Sequence, residues 1–400
     1  MLTFLKTYFT TSRALIGPEF VILPLLFVDT GVMFPIIAIM SVIISTISLY
    51  LYRVVQQNCD LTLINDLSSF CGGKKVLYAS RIFDLIYRVI QIGFIFSMCA
   101  TSVQDLLFTL PNSSRSQLWK SDACVRIVLY TLSYPLLLFL CHSKTGKKVG
   151  TIIAYLFPVL YLIQLIFSIA VICFFGFREV DILHSIQHDF GVNDMSALYV
   201  VFLCIFAPFK FQNESTGENT PAEFVSYATV LLFGVAYGFC VGSALTMANP
   251  IPFSSFMFTL REYPVFFVSA VTINIIAVII FLVQIPPIVS TMVEDIDCNF
   301  FALWKPSFLR RSVVVFSIIS TSGLLSSVIW TCKEQMILNG SLSGSYFVHF
   351  LPATVAVYVS KSKTTKAVGF FLIVIGVVFC ASGCTEVFID FVENVVNEFL

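Results

Sequence analysis

Charge is what this 400-residue sequence has least of: Asp, Glu, Lys and Arg make up 12% of it and cancel to a formal net charge of zero. Soluble domains carry about 25% charged residues, and a chain with roughly half of that cannot cover a water-facing surface. With no basic excess, a nucleic-acid partner is not expected. Histidine is also scarce, four residues dispersed along the chain, and no GxSxG or HExxH pattern occurs. A membrane-embedded enzyme needs clustered His, Asp or Cys, or a nucleophile beside its base, so no enzymatic activity is expected. The twelve Cys include no CxxC pair, which leaves them as small packing side chains rather than ligands of a metal. Low-complexity tracts, short-period repeats and a soluble inserted domain are all missing. No cleavable signal peptide is expected either: the first apolar stretch has a charge in its middle and no small-residue cleavage site.

Apolar runs take the place of the missing charge. Hydrophobic residues make up 58% of the chain and mean hydropathy is +0.93. A bilayer core of about 30 Å needs roughly 20 apolar residues as helix, and helices satisfy their own backbone hydrogen bonds in lipid. Eleven candidate spans follow: Ser12–Phe27, Met33–Tyr52, Ile82–Leu107, Cys124–Cys141, Val149–Phe175, Ser196–Phe211, Phe224–Met247, Phe266–Met292, Val313–Trp330, Ser341–Val359 and Ala367–Cys384. They do not alternate in polarity as barrel strands would. The longest polar loops are 53–81, 110–123 and 176–195. The expected fold class is therefore all-α, a polytopic membrane protein in contact with the lipid bilayer.

Basic residues orient the chain. With the N-terminus in the cytoplasm, the inner side holds 17 of the 23 Lys and Arg residues, from Lys6 and Arg13 through Arg53, Lys74, Lys75 and Lys144 to Lys366. The outer side holds the other 6: Arg115, Lys120, Arg126, Arg178, Arg261 and Lys333. The C-terminal tail falls outside. The expected location is the plasma membrane or a vacuole-like endomembrane. Glycosylation sequons begin at Asn112 and Asn339 on the outer side and at Asn213 on the inner side.

Spans 1 and 6 are short and irregular. Gly17 and Pro18 weaken span 1, Pro24 removes another amide donor, and Glu19 sits at the break. Span 6 carries Pro208 and then Lys210. Irregular backbone at membrane depth belongs where it lines a cavity or is buried in protein, and an ionisable residue there is a functional candidate. Interrupted segments in corresponding places of two halves point to a transporter binding site.

Here the sequence resembles a known family. Ile16-Gly17-Pro18-Glu19-Phe20-Val21-Ile22-Leu23-Pro24 is similar to the pattern I-G-x-G-[IV]-L-x-[IL]-P that opens the amino acid/auxin permeases, members of the APC superfamily with the LeuT-type fold. The stretch from Asp60 to Lys74 resembles that family's L-x-x-x-x-G-K segment, and Phe206-Ala207-Pro208-Phe209-Lys210-Phe211-Gln212-Asn213 its broken helix. Ile285-Pro286-Pro287 and the run from Ser343 to Ala353 resemble its later signatures. The motifs follow in order over nearly the whole chain.

The resemblance implies one transporter domain over residues 1–400: inverted repeats at about 12–175 and 196–359, plus an extra helix at about 367–384. It implies a secondary transporter of amino acids or related small solutes, coupled to protons or sodium, with no other cofactor. Substrate would bind between spans 1, 3, 6 and 8, with spans 1, 2, 6 and 7 rocking against the rest. Carried over by position, Gly17, Pro18, Glu19 and Phe20 face Phe206, Pro208, Phe209 and Lys210 across the site, their amides taking the substrate carboxylate. Two departures stand out. Glu19 replaces the family's second Gly, and Lys210 stands near a small position, where Gly is favoured for close backbone approach. Three roles are open for Glu19: pairing with Lys210, recognising a cationic substrate, or carrying the coupled proton. A non-transporting nutrient receptor on the same scaffold is the alternative function.

Weaker candidates complete the reading. Asp84 and Arg88 have ion-pair spacing. Gln91, Ser97 and Thr101 either line the site or join helices. His349 is a lone intramembrane His suited to a packing hydrogen bond or a proton relay. His184 and His188 lack the further ligands a zinc site needs.

Overall fold

The computed structural model describes residues 2–31, 33–59, 64–109, 122–142, 152, 155–175, 192–208, 210, 220–246, 263–301, 307–328 and 331–399. Among these, every regular element is helical. In chain order they are α1 (Leu2–Leu15), a 3-10 turn (Pro18–Ile22), α2 (Leu23–Thr30), α3 (Met33–Cys59), α4 (Ile64–Thr109), α5 (Asp122–His142) and α6 (Leu156–Phe175). There follow α7 (Val192–Ile205), α8 (Thr220–Thr246), α9 (Pro264–Phe300), α10 (Phe308–Val328) and α11 (Cys332–Asn339). Two π-helical turns (Gly340–Gly344 and Tyr346–Phe350) lead into α12 (Leu351–Val359), and α13 (Lys363–Phe399) ends the chain.

Among the described residues, eight helices are long and apolar enough to cross a membrane. The pair Thr3–Leu15 and Pro18–Thr30, bent by 55°, makes a ninth if counted as one span. Shorter apolar helices at Val125–Phe139 and Met195–Ile205 occupy the fourth and sixth expected spans. Each expected span thus carries a helix, and the protein is an integral multi-pass membrane protein.

The differences lie at the ends. The first span begins at Leu2 rather than Ser12, because nothing before Gly17 breaks a helix. Residues 53–81, expected as a polar loop, are largely helical: α3 runs to Cys59 and α4 starts at Ile64. Hydropathy detects only the lipid-facing length of a helix, so these polar ends are invisible to it. Within α4, Gly73 takes φ 61, a left-handed conformation that favours glycine, and puts a kink between two helical stretches. The last helix likewise runs on to Phe399. Asn339, the head of an outer sequon, is fully buried and donates to the Tyr87 carbonyl at 3.3 Å, so it is not a glycan acceptor. The sequons at Asn112 and Asn213, and His184 and His188, lie outside the described residues.

The chain divides into two compact units. The first comprises residues 1–87, 181–238 and 336–400. In it α12 packs on α3 and α13, and α7 packs on α3, α13 and the first π-helical turn. Leu51, Ala353, Ala356 and Leu372 form one core cluster. The outer face of α3, with Ile36, Met40 and Ile43 at helical spacing, is exposed, as are Phe370, Phe371, Val374 and Val378 of α13. In lipid such faces carry no hydrophobic penalty.

Polar side chains stitch this unit together at the irregular backbone. A π-helical turn shifts the hydrogen-bond register and leaves carbonyls in need of donors. Tyr52 donates to the Phe347 carbonyl at 2.8 Å, and Ser48 donates to that of Val348. From the same stretch, Ser343 donates to the Phe83 carbonyl at 2.9 Å, one turn from Asn339 on Tyr87. Tyr199 and His349, both buried, meet at 3.2 Å between hydroxyl and Nε2, a packing hydrogen bond, one of the two roles open to this His. Buried Arg53 forks onto Glu223, with Nε to Oε2 at 2.9 Å, and joins α3 to the first turn of α8.

The second unit comprises residues 88–180 and 239–335. Its α5 packs on α9 and α10, and α6 on α9. Ser97 accepts from Gln335 at 2.9 Å and Thr101 donates to the Ser97 carbonyl at 3.0 Å, so both join backbone and helices here. Arg88 bonds Asp295 at 2.9 Å, and Arg310 and Arg311 converge on Asp297.

A Cβ at Gly340 would run into the Val200 carbonyl, a backbone group that cannot swing aside. Gly340→Ala should therefore destabilise by about 1–3 kcal/mol, read as a fall in melting temperature in detergent. Gly344→Ala, whose Cβ would meet its nearest neighbour at 3.4 Å, should melt near wild type. Equal melting of the two variants would contradict this packing.

Candidate functional site

The site is built where two helices of the first unit stop. Span 1 breaks at Ile16-Gly17, and Gly17 is extended (φ −96, ψ −172) before Pro18 opens a 3-10 turn. Proline suits that first position because its missing N–H has no helical acceptor there. Phe20 N–H donates to the Gly17 carbonyl at 3.2 Å, which closes the turn. On the other side α7 ends at Ile205, and Phe206-Ala207-Pro208 leave the helix. Proline cannot continue the ladder. The Phe206 carbonyl at this end accepts the Tyr227 hydroxyl at 2.9 Å, a donor from α8.

These breaks bring opposite charges together. Glu19 is 1% exposed and Lys210 is 8% exposed, and Lys210 Nζ lies 3.3 Å from Glu19 Oε2. Glu19 Oε1 accepts the Tyr87 hydroxyl at 2.6 Å. Lys210 Nζ also stands 5.9 Å from the centre of the Tyr87 ring, within cation–π range. Cys204, fully buried, stands in the last turn of α7, just before the break. A carboxylate removed from water is costly unless paired and hydrogen-bonded, and each partner here answers part of that cost. Of the roles open to Glu19, pairing with Lys210 is the one the geometry realises.

Gly17 has a specific part in this. A Cβ there would fall on Glu19 Oε2, so the carboxylate folds back over the glycine into the space a side chain would fill. Buried aromatic rings flank the two breaks. Phe20, fully buried, stacks on Phe233 at 5.7 Å and tilts against Tyr237 at 5.9 Å. Phe206 lies between Phe202 and Tyr227, each 6.2 Å away. Pro18 and Pro208 are buried. The structure thus brings Gly17, Glu19 and Lys210 together and places Pro18, Phe20, Phe206 and Pro208 around them; Phe209 lies outside the described residues.

Tyr87 and Cys204 were not expected at the site. A signal for Tyr87 does exist: Ser80, Asp84, Tyr87 and Gln91 recur at intervals of four, three and four, a polar stripe along one helix face. Nothing in the sequence distinguishes Cys204 from the other cysteines in spans.

No family profile and no curated protein matches the sequence. Solved structures do match. One is MhsT in complex with L-phenylalanine, with a TM-score of 0.57 and 9% identity over 97% of this chain and 98% of that one. Another is the Eremococcus coleocola manganese transporter bound to an aromatic bis-isothiourea substituted compound, with a TM-score of 0.51 and 12% identity over 93% and 84%. A mutant of that transporter gives 0.53 and 12% over 94% and 86%. The chain has the LeuT-type fold these structures share.

Gly17→Ala should destabilise the protein by about 1–3 kcal/mol, because the carboxylate can give way only by leaving Tyr87 and Lys210. In a Glu19→Ala background the same change should cost little, because the colliding atoms are gone. Thermal unfolding of the four proteins checks this, and an equal loss in both backgrounds would contradict the fold-back of Glu19.

Proposed function

We propose that the chain is a secondary active transporter of amino acids or related small solutes. It works by alternating access at the breaks of spans 1 and 6 and is coupled to protons or sodium. The observation that carries this reading is the meeting of two broken spans, each bearing a buried charge, at Glu19 and Lys210. Interrupted helices with polar groups at membrane depth are costly and are kept where a solute or ion must bind. Residues 12–359 form the paired repeats of one transporter domain, with the final helix added, and the N-terminus lies in the cytoplasm. The site residues are Gly17, Pro18, Glu19, Phe20, Phe206, Pro208, Phe209 and Lys210, joined by Tyr87.

The matching structures supply two kinds of cargo. One holds L-phenylalanine and the other is named a manganese transporter. Lys210 favours the first kind for this chain. A dication at Glu19 would meet the ammonium at close range in a low-dielectric site, where like charges repel strongly. An amino acid brings both charges with it and leaves the site neutral, while Phe20, Phe206 and Phe233 offer apolar surface to its side chain.

The nutrient receptor keeps one supporting observation. The Glu19 carboxylate fills the space over Gly17, where an amino acid carboxylate would otherwise approach the backbone. A receptor binds without flux.

The test is uptake of radiolabelled amino acids into proteoliposomes, with and without an inward proton gradient or sodium. One class should accumulate, and Glu19→Gln should lower its uptake about tenfold or more, the value of one charged hydrogen bond. Thermal stabilisation by an amino acid with no uptake of any would support the receptor and contradict transport.

A further inference from the structure

We propose that Glu19 is the centre of a monovalent-cation site whose occupant is the chain's own Lys210 ammonium, so that this break binds no sodium. The site itself stands on geometry; its consequence, sodium-independent uptake, rests on the transporter reading above.

The frame is that of an ion site. The Glu19 carboxylate is folded back over Gly17 and held from one side by the Tyr87 hydroxyl at 2.6 Å. Its other oxygen faces Lys210 Nζ at 3.3 Å, and the Tyr87 ring stands 5.9 Å from the same nitrogen. A carboxylate on one side and an aromatic face on another would receive any small monovalent cation. Lys210 Nζ is buried and makes no hydrogen bond with the described residues. An ammonium has three donors, yet among the described residues this one is met by the Glu19 charge and the Tyr87 ring rather than by an aligned hydrogen bond. That is how an ion sits in a cage. A side chain fitted to a partner would be aligned with it.

Charge balance then decides the coupling. Glu19 and Lys210 cancel. Sodium at Glu19 would have to displace the ammonium or share one carboxylate with it, leaving an uncompensated buried positive charge. A free cation must be gathered from solution at an entropic cost in each cycle, whereas a tethered one is always present at the break. Removing the tether should therefore leave a vacant cation site, one that takes a small alkylammonium or an alkali ion from solution.

The full-length protein with Lys210→Ala, in detergent, tests this by thermal unfolding against added propylammonium (the part of the side chain that was removed) or sodium. Choline serves as the ionic-strength control. A saturable rise in melting temperature with propylammonium and sodium is expected in Lys210→Ala. None is expected in wild type or in the Lys210→Ala, Glu19→Gln double variant. Should Lys210→Ala not fold, Lys210→Gln keeps the bulk and removes the charge; sodium against choline is then the comparison, with stabilisation by sodium expected and its absence overturning the cation site. A variant that melts at one temperature in all three salts overturns the cation site, as does a wild type stabilised by sodium over choline. In uptake, wild type should be equally active in sodium and choline, and a tenfold sodium requirement overturns the proposal. If no solute is taken up in either salt, the transporter reading fails, while the melting comparison still decides the cation site.

Discussion

The carboxylate of Glu19 leaves water at the point where span 1 stops being a helix, and Lys210, Tyr87 and Gly17 are arranged around it. A charge in that position needs a counter-charge and hydrogen bonds, because the low dielectric makes both partners costly alone and valuable together. Lys210 answers it from a second broken helix at 3.3 Å and Tyr87 answers it from α4 at 2.6 Å. Gly17 supplies the empty volume the carboxylate needs. Each feature depends on the others: without the glycine the carboxylate has no room, and without the break at Pro208 the ammonium would continue along a helix.

The same constraint runs through the backbone. In lipid every carbonyl needs a donor, and at two of the irregular stretches a side chain supplies it. Tyr227 takes the Phe206 carbonyl at the end of α7, and Tyr52 and Ser48 take those of Phe347 and Val348 in the second π-helical turn. Close packing of α7 on the first π-helical turn follows from Gly340, where any side chain would meet the Val200 carbonyl. Tyrosine is well suited to these places, since it brings an apolar body and one donor at its tip. Arg53 and Glu223 apply the same rule to a pair of charges: both are buried and each neutralises the other.

Much of this was legible in the sequence because the signals are local. Gly17-Pro18 and Pro208 break helices wherever they stand, and Glu19 and Lys210 are conspicuous among apolar neighbours. Their pairing could be named as one of three roles and no further, because it depends on where two segments almost two hundred residues apart meet. The polar ends of helices were lost for a different reason: residues 53–59 and 64–81 are helical but not apolar, and hydropathy does not see them. Asn339 misled because a three-residue sequon carries no information on burial. Tyr87 lay inside an expected span, but which group its hydroxyl meets is set by how that helix packs on the break of span 1.

The central claim is that Glu19 and Lys210 act as one unit rather than as two separate charges. A double-mutant cycle of Glu19→Gln and Lys210→Met, read by thermal or chemical unfolding of the full-length protein, measures this directly. Removing one member of a buried pair costs about 3–5 kcal/mol, because the other is left uncompensated. Each single variant should be strongly destabilised, and the double variant should be more stable than either. Losses that simply add in the double variant would mean that the two charges do not meet, and the site described here would not exist.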